Sequence, residues 1–340
     1  MEKVTKYKAA ACQIAPVFLD RDATVEKVCG FIGEAASNGA KVIAFPEALI
    51  PGYPWWIWLG DPFVYGMKFY RQLYDNAVEI PGKSVRKLSR CARKNDVYVC
   101  VSVTEKDGGS LYLTQLWFSP SGDLIGKHRK LKATGAEKTI WGDGDGSMMP
   151  VFETEYGNLG GLQCWEHMLP LNIAAMGSMN EQVHVSSWPA FLPQPDALFR
   201  QEPCETCAKY YTVANQTFTL MASQIYTQEM QDMLCENDTQ RMILAVGGGC
   251  TKIFAPSLQV ISGEIPADEE GIAYADIDLS LIPVGKYLVD PAGHYSTPGF
   301  LRLTFDRSEH FPVMVQGEAA CHFIGYDQLQ ASAECPCGTR

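Results

Sequence analysis

Short apolar segments of strand length alternate with amphipathic helical segments along most of this chain, and this alternation limits the possible folds more than any other feature. Strands are predicted at Lys8–Ala15, Lys41–Phe45, Val97–Val103, Ser110–Ser119, Asp123–His128, Leu159–Gln163, Val183–Ser187, Thr217–Ser223 and Gly271–Ile277. Helices are predicted at Asp22–Ser37, Val64–Asn76, Lys83–Asn95 and Asp196–Gln216. A turn between two further strands is predicted over Phe254–Val260. This order predicts an α/β fold, a four-layer α-β-β-α sandwich with two mixed sheets.

The composition indicates a large domain without a nucleic-acid or membrane partner. Of 340 residues, 46% are hydrophobic, and the formal net charge is −11. The basic residues form no stripe that would fit nucleic acid, and no apolar run approaches the roughly 18 residues of a membrane span. The first residues lack a signal-peptide pattern, so a cytoplasmic location is predicted. Residues 1–305 are expected to form the domain, and residues 306–340 a C-terminal tail that could contribute to oligomer contacts.

The chain contains twelve cysteines, which raises the question of disulfides or a metal site. In a long cytosolic chain they are expected to be reduced thiols. Cys204 and Cys207 form a C-x-x-C pair, whereas Cys335 and Cys337 are separated by a single residue and lie far along the chain. A four-ligand zinc site usually combines two pairs of matched spacing, so no metal is predicted.

The segment Gly160–His167 (GGLQCWEH) places Cys164 where an apolar strand with two glycines ends in a tight turn. Ligand sites of α/β sheets collect at the carboxyl ends of strands. A turn into a helix would also direct backbone N–H groups at the sulfur and stabilise a thiolate. The alternative is an inert core cysteine, because free cysteine is among the most buried residue types.

Three charged residues stand where other predicted elements end. Glu47 closely follows the strand Lys41–Phe45, and Lys130 lies in a basic cluster after another strand. Glu137 lies in the loop Thr134–Gly146, whose glycine-rich end lacks the motifs of a phosphate or EF-hand calcium loop. Glu47 also has an ordinary interpretation as a helix cap or solvated carboxylate, and Lys130 as part of a solvated basic patch.

In combination these segments resemble the nitrilase branch of the carbon–nitrogen hydrolase superfamily, over roughly residues 7–305. The matching blocks are Phe45–Glu47, Pro51–Pro54, His128–Leu131, Ala136–Glu137, Trp141–Gly146, Cys164–His167, Glu181–Val185, Trp188–Pro189 and Asp290–Tyr295. The triplet Cys-Trp-Glu at 164–166 separates nitrilases from their amidase relatives. The chain departs from the family at Ala133 and Lys138, where members often have proline and arginine, and both positions lie in the loop that carries Glu137.

The resemblance implies a fold of the nitrilase type and a thiol-dependent hydrolysis of an organic nitrile to carboxylic acid and ammonia. Cys164 would be the nucleophile and Glu47 the general base and acid. Lys130 would stabilise the negative charge on the nitrile nitrogen, and Glu137 would support that lysine. The intermediates would be a thioimidate and a thioester. No metal or organic cofactor is required.

The resemblance also concerns binding and assembly. Tyr53, Trp165 and Trp188 match positions near the nitrile pocket, and an aromatic lining would suit an aryl or arylalkyl nitrile. The expected partner is therefore a small-molecule nitrile. Relatives form homodimers across a helical face, which build into larger spiral homo-oligomers, so the same assembly is expected here.

Three alternatives remain from the sequence. His128 and His167 flank the site, so a cysteine–histidine pair of the papain type is a rival mechanism. Another enzyme on the same scaffold is possible: an aliphatic amidase, or a cyanide dihydratase, with which the segments Glu105–Tyr112 and Gly142–Gly144 are shared. The third is a non-catalytic assembly protein, which would have no physical need for all four polar residues of the site.

Overall fold

The computed structural model describes residues 3–192, 200–310 and 326. Its strands are β1 (Lys6–Gln13), β2 (Ala40–Ala44), β3 (Val78–Glu79), β4 (Tyr98–Asp107), β5 (Ser110–Phe118), β6 (Leu124–Arg129), β7 (Val151–Thr154), β8 (Gly157–Gln163), β9 (Val183–Trp188), β10 (Phe218–Ser223), β11 (Lys252–Phe254) and β12 (Gly271–Asp278). Its α-helices are α1 (Arg21–Ser37), α2 (Pro62–Asp75), α3 (Lys83–Asn95), α4 (Pro170–Ser178), α5 (Gln201–Asn215), α6 (Gln228–Leu234), α7 (Asp238–Ile243) and α8 (Leu281–Leu288). Short 3₁₀ helices cover Trp55–Trp58, Gly135–Thr139, Gly146–Met148 and Cys164–Met168.

The strands form two mixed sheets. The first has the order β12-β1-β2-β4-β5-β6, with β3 also paired to β4. Within it β1, β2 and β4 run parallel, whereas β12 and β5 join them antiparallel and β6 extends the antiparallel edge. The second sheet has the order β11-β10-β9-β8-β7, with β8, β9 and β10 parallel and the two outer strands antiparallel. The parallel centre of each sheet therefore brings several carboxyl ends to one edge.

One hydrophobic core lies between the two sheets. In β1, Ala9 and Ala11 pack in one hydrophobic cluster with Leu220 of β10, whereas Ala10 and Cys12 pack in another with the helices of the first sheet. This alternation is the period of two expected when a strand buries both faces. It explains why the strand sequence is almost continuously apolar.

Helices cover the outer face of each sheet. On the first sheet, Ile32 of α1 and Leu88 of α3 join one cluster with Val99 of β4. On the second sheet, α4 and α5 contribute to a cluster that includes Leu162 of β8 and Tyr211 of α5. The order of layers is therefore helix, sheet, sheet, helix, and the predicted fold class is confirmed.

Helix α1 shows how local sequence sets these elements. Asp20 is the N-cap, and its Oδ1 accepts a hydrogen bond from the backbone N–H of Ala23 at 2.9 Å. The helix buries one face, formed by Thr24, Val25, Val28, Ile32 and Ala35. It stops before Gly39, whose φ of 91° is a conformation that residues with a side chain rarely adopt.

Some predicted elements differ from those observed. Helix α5 begins at Gln201, and most of the predicted segment before it, residues 196–199, lies outside the described residues. The prediction of two strands around the turn at Phe254–Val260 is half wrong: β11 leads into the turn, but beyond it Val260 forms only an isolated bridge to Phe254. The sequence did not predict β3, β7, α4, α6, α7 or α8. These elements are short, so their periodicity is too brief to read locally.

No helix within residues 3–192 and 200–310 is both long and apolar enough to cross a membrane. The described residues up to Ser308 belong to one compact unit. Most of the predicted tail, residues 306–340, lies outside the described residues, so the division at residue 305 stays a prediction.

Candidate active site

The carboxyl ends of the parallel strands of both sheets meet at one place, where polar groups link them. Gln115 donates from Nε2 to Ser187 Oγ at 2.8 Å, and Ser187 donates from Oγ to the carbonyl oxygen of Phe45 at 2.9 Å. The backbone N–H of Glu47 donates to the carbonyl oxygen of Trp188 at 3.2 Å. The loop after β2 in the first sheet is thereby fixed against the end of β9 in the second.

Cys164 follows β8 directly and is the first residue of the 3₁₀ helix Cys164–Met168. Its φ is 52°, in the left-handed region, which costs a residue with a side chain about 1–2 kcal/mol. The side chain is fully buried. Its Sγ and carboxylate oxygens of Glu47 and Glu137 lie within 4.8 Å of one another. The strained turn therefore directs the thiol towards two carboxylates, so Cys164 is not merely an apolar core residue.

Lys130 supplies the positive charge of the site. Its backbone N–H donates to the carbonyl of Leu113, and its own carbonyl accepts from the N–H of Gly144, both at 2.8 Å. Its Nζ donates to Glu47 Oε1 and to Glu137 Oε2, also at 2.8 Å in each case. Burial favours the neutral amine, but the Glu137 and Glu47 carboxylates outweigh it and hold the pKa of Lys130 well above its usual value. Lys130 is thus a buried ammonium, and the alternative of a solvated basic patch does not apply to it.

The two carboxylates of the site differ in their hydrogen bonds. Both oxygens of Glu137 are engaged, because Oε1 accepts from the Tyr53 hydroxyl at 2.7 Å and Oε2 accepts from the backbone N–H of Thr134 at 2.8 Å as well as from Lys130. Glu47 uses Oε1 for Lys130, while its buried Oε2 has no hydrogen-bond partner within the described part of the chain. Glu47 therefore has an oxygen available to accept a proton, whereas Glu137 is suited to holding Lys130 in place.

Burial controls how these groups ionise. It raises the pKa of Glu47 to about 8, an effect that Lys130 opposes and Glu137 reinforces. It also raises the pKa of the Cys164 thiol well above its usual value, and the Glu47 charge adds to this effect. The expectation that the turn would stabilise a thiolate is therefore wrong for the free site. The raised pKa favours the protonated thiol in the free site.

Glu166 ties the segment that carries the lysine to the turn that carries the thiol. Its Oε1 accepts from the backbone N–H of Leu131 at 2.8 Å, and its Oε2 accepts from the backbone N–H of Gln163 at 2.9 Å. Leu131 is the neighbour of Lys130, and Gln163 is the neighbour of Cys164. The glutamate after Cys-Trp is therefore a structural link between the segments that carry Lys130 and Cys164, a pair of contacts that the sequence did not reveal.

Neither histidine near the site is placed to act as the base. His128 contacts Glu166 Oε2 through Nε2 at 2.8 Å and a backbone carbonyl through Nδ1 at 2.7 Å. His167 contacts the carbonyl oxygen of Cys164 through Nδ1 at 2.6 Å and His184 Nε2 through its own Nε2 at 2.8 Å. All four ring nitrogens thus have partners other than the Cys164 sulfur. This geometry does not support the papain-type alternative.

The aromatic residues predicted to contact substrate are all near the site. Trp188 is fully buried and packs in one hydrophobic cluster with Cys164, and Trp165 lies against the same cluster. Tyr53 is also fully buried, and its hydroxyl is committed to Glu137. The sequence predicted the location of Tyr53 but not this hydrogen bond, because no local pattern reveals a partner 84 positions away.

One group of side chains in the described ranges could in principle hold a metal ion, namely the two carboxylates and the Cys164 thiol. The ammonium of Lys130 lies between the carboxylates and already supplies them with a cation. Cys204 and Cys207 are both buried on α5 and are free thiols. The cysteine pair predicted in the tail lies outside the described residues.

The sequence profile of the family described as carbon-nitrogen hydrolase matches residues 8–287. The structure of a Saccharomyces cerevisiae member of branch 10 of the nitrilase superfamily is similar, with a TM-score of 0.67 and 19% identity, covering 87% of this chain and 98% of that one. A carbon-nitrogen hydrolase from Helicobacter pylori G27 has a TM-score of 0.66 and 18% identity, covering 87% and 97%. These two structures show a shared fold.

Sequence relatives are more similar to the chain. A protein named nitrilase from Bacillus sp. (strain OxB-1) is 64% identical over 330 residues, which are 97% of this chain and 97% of that protein. An aliphatic nitrilase from Rhodococcus rhodochrous is 41% identical over 315 residues, which are 92% of this chain and 86% of that protein.

Proposed function

The chain belongs to the carbon–nitrogen hydrolase family, and we propose that it hydrolyses an organic nitrile to the carboxylic acid and ammonia, with Cys164 as the nucleophile. The observation that carries the proposal is the unpartnered Oε2 of Glu47 beside a buried thiol and a buried ammonium. A base with a free oxygen, a nucleophile and a positive charge are the three groups that addition to a carbon–nitrogen multiple bond needs. The nitrilase named above, similar over almost the whole chain, supports a nitrile as the substrate.

The first step forms a bond between Cys164 Sγ and the nitrile carbon. Glu47 accepts the thiol proton on Oε2 as the sulfur attacks, and then delivers that proton to the nitrile nitrogen. The carbon–nitrogen triple bond becomes a double bond, and the product is a covalent thioimidate. The raised pKa of Glu47, about 8, suits both halves of this transfer because a base near the working pH also releases its proton readily.

The second phase replaces nitrogen by oxygen. Glu47 takes a proton from a water molecule that adds to the thioimidate carbon and passes this proton to the nitrogen. The hydroxyl proton of the tetrahedral intermediate is also transferred to the nitrogen, the carbon–nitrogen bond breaks, and ammonia departs to leave a thioester. A second water attacks the thioester, the carbon–sulfur bond breaks, and the proton returns to Cys164. Two waters are consumed for each nitrile, and one carboxylic acid and one ammonia are released.

Lys130 stabilises the charge that develops on nitrogen and oxygen in these steps. Its Nζ lies between the two carboxylates in a site from which water is largely excluded, so its charge acts more strongly there than in solution. The backbone N–H of Trp165, next to the nucleophile, is a second donor for the tetrahedral intermediates. Glu137 holds Lys130 in position through the contacts described above.

The walls of the site suit an apolar nitrile substituent. Trp188 and Trp165 border the cluster that contains Cys164, and Tyr53 lies beside Glu137. Aromatic side chains of this kind favour stacking with an aryl or arylalkyl group and also accept an aliphatic chain. We assign these three residues to the substrate pocket.

Ammonia release from matched substrates tests the proposed function. Each aliphatic nitrile, aryl nitrile and arylacetonitrile is paired with the amide that carries the same substituent. Binding of that substituent then affects both members of a pair equally and does not change the ratio of their kcat/KM values. Cyanide is measured as well. We expect kcat/KM for the best nitrile to exceed that for its amide at least about tenfold, because the linear nitrile is the group the site activates. A preference for the amide would contradict the proposal in favour of an amidase, and a preference for cyanide would favour a cyanide dihydratase.

The pH dependence of the reaction tests the role of Glu47. The carboxylate must be unprotonated to accept the thiol proton, and its pKa is raised to about 8. Activity is therefore expected to rise with pH below this value, so kcat/KM should increase about tenfold from pH 6 to pH 7, with an apparent pKa that belongs to the coupled group. The measurement uses a nitrile without an ionisable group. A flat profile between pH 6 and pH 8 would contradict this assignment.

For assembly, we propose a homodimer formed across the face of α4 and α5, which builds into larger spiral homo-oligomers. Leu171 on α4 and Tyr210 and Val213 on α5 are exposed, as are Met168 and Leu169 just before α4. Exposed apolar side chains clustered on two adjacent helices are typical of a protein interface. A dimer across this face would cover them.

We propose a cytoplasmic location. The mechanism needs a free thiol at Cys164, and the cysteines of the described part of the chain are free thiols. A reducing compartment maintains such thiols, whereas oxidising compartments favour disulfides.

A further inference from the structure

A line of buried polar groups leads away from the backbone carbonyl of Cys164. His167 Nδ1 contacts the carbonyl oxygen of Cys164 at 2.6 Å, and His167 Nε2 contacts His184 Nε2 at 2.8 Å. His184 Nδ1 contacts Glu181 Oε1 at 2.8 Å, and the Tyr211 hydroxyl donates to Glu181 Oε2. All four side chains are fully or almost fully buried, and the mechanism above uses none of them.

The number of protons in this line can be counted. Each of its four contacts needs one hydrogen, and the Cys164 carbonyl can only accept, so His167 must carry its proton on Nδ1. His167 Nε2 is then an acceptor, and His184 must donate to it from Nε2. The contact between His184 Nδ1 and Glu181 Oε1 needs one further hydrogen, which either Glu181 or His184 can carry. In the first case Tyr211, the two neutral histidines and a protonated Glu181 supply one hydrogen each.

The surroundings place this last proton on the glutamate. Burial raises the pKa of Glu181 to about 8, lowers that of His167 to about 3 and lowers that of His184 well below its usual value. The other charged groups facing the line are His128 of β6 and Glu166, which pair with each other. From α5, Tyr211 and the neutral Asn215 face it, and Gly160 of β8 lies next to the Glu181 carboxyl group. No cation from these elements faces Glu181 to favour its ionised form.

Gly160 makes room for this arrangement. A Cβ at this position would lie 2.2 Å from Glu181 Oε1 and 2.9 Å from the methyl carbon of Met176. Glycine four residues before the nucleophile therefore allows the carboxyl group to reach His184. This contact gives a physical reason for one of the two glycines that precede Cys164.

We propose that Glu181 is a positioning residue for Cys164, which in its protonated form completes a hydrogen-bonded line through His184 and His167 that holds the nucleophile's backbone in its strained conformation. The inference rests on the proposed role of Cys164 as nucleophile. It assigns to Glu181 no contact with the reacting atoms.

Loss of the Glu181 proton has a consequence at the far end of the line. An ionised Glu181 attracts the hydrogen of His184 to Nδ1, and His167 must then supply the hydrogen between the two Nε2 atoms. His167 Nδ1 then presents a lone pair to the Cys164 carbonyl, and this contact becomes repulsive. Titration of Glu181 therefore loosens the turn that carries the thiol, which should lower kcat with little effect on KM.

Glu181→Gln separates this proposal from a general structural role. A glutamine donates from its amide nitrogen to His184 Nδ1 and accepts from Tyr211 through its oxygen, so it imitates the protonated acid at every pH. We expect kcat of Glu181→Gln at pH 7 to lie within about twofold of the unaltered protein. Because a group with a pKa of about 8 is mostly protonated at pH 7 and about one-tenth protonated at pH 9, the ratio of variant to unaltered kcat should rise about tenfold between these two pH values.

Two outcomes would overturn the proposal. One is a large loss of kcat in Glu181→Gln at pH 7, which would mean that a charged carboxylate is needed. The other is an unchanged ratio between pH 7 and pH 9, which would mean that titration of Glu181 does not reach the nucleophile. Glu181→Leu cannot donate a hydrogen bond and should lower kcat at pH 7 at least about tenfold if it folds. If it does not fold, the measurements on Glu181→Gln still test the proposal.

The proposed function can fail separately. Cys164→Ala measured alongside tells whether Cys164 is the nucleophile at all. If that variant is inactive and the glutamine variant behaves like the unaltered protein at both pH values, only the role of Glu181 is refuted. If Cys164→Ala remains fully active, the proposed function itself is refuted.

Discussion

Replacing Cys164 by alanine is expected to lower kcat for nitrile hydrolysis at least about 10⁴-fold, because the covalent route has no other nucleophile. Water alone would have to attack the nitrile, and a nitrile carbon is a weak electrophile. The fold should persist, since alanine fits the space of the buried side chain and removes a single sulfur atom. Ammonia release at high enzyme concentration measures the residual rate, and mass spectrometry of quenched mixtures detects the thioimidate or thioester on the unaltered protein only.

Cys204→Ala is the matched control for this variant. Cys204 is also fully buried and belongs to the same hydrophobic cluster as Cys164, so its replacement makes a similar small cavity. We expect this control to keep kcat within a few fold and to show a similar thermal unfolding midpoint to Cys164→Ala. Equal activity in the two variants would exclude Cys164 as the nucleophile.

Replacing Lys130 by methionine is expected to lower kcat about 10²–10³-fold, the usual effect of removing one group that stabilises charge in the transition state. The side chain is only 2% exposed and contacts both carboxylates, so its loss leaves two buried acids without a counter-ion. The free energy of unfolding should therefore fall by about 3–5 kcal/mol. Denaturant titration measures the stability, and steady-state kinetics at saturating nitrile measure kcat.

The double variant Lys130→Met with Glu137→Gln separates stability from catalysis. Removing the second charge eliminates the unpaired carboxylate at Glu137, while the amide can still accept from Tyr53. We expect most of the lost unfolding free energy to return and kcat to stay low. Recovery of kcat in the double variant would show that Lys130 acts only by neutralising Glu137.

The long elements of the fold were predictable because their signals are local. The predicted strand Lys41–Phe45 differs from β2 by one residue at each end, and the predicted helix Lys83–Asn95 coincides with α3. The prediction failed where an element is short, as at β3, which consists of Val78 and Glu79. Such strands exist through pairing with a distant neighbour, here β4, and their own sequence gives little sign of it.

The site was predictable as a set of residues but not as a set of contacts. Glu47, Lys130, Glu137 and Cys164 follow strands or lie in loops, and turn signals in the sequence locate them there. Their mutual distances depend on the pairing of strands far apart in the chain: Lys130 and Glu47, joined at 2.8 Å, are 83 positions apart. The buried line through Glu181 and His184 was also invisible, although a histidine inside an apolar strand is an unusual feature that could have drawn attention to it.

The sequence by itself determined the α/β class, the thiol at the end of β8 and the residue types of the site, because periodicity, turns and resemblance are written along the chain. Only the tertiary structure decided which carboxylate keeps a free oxygen, and that the Cys164 thiol is protonated in the free site. The physical reason is that proton affinity depends on burial and on neighbouring charges, and both are properties of the packed molecule. Two glutamates that are chemically identical in the sequence thereby acquire different roles.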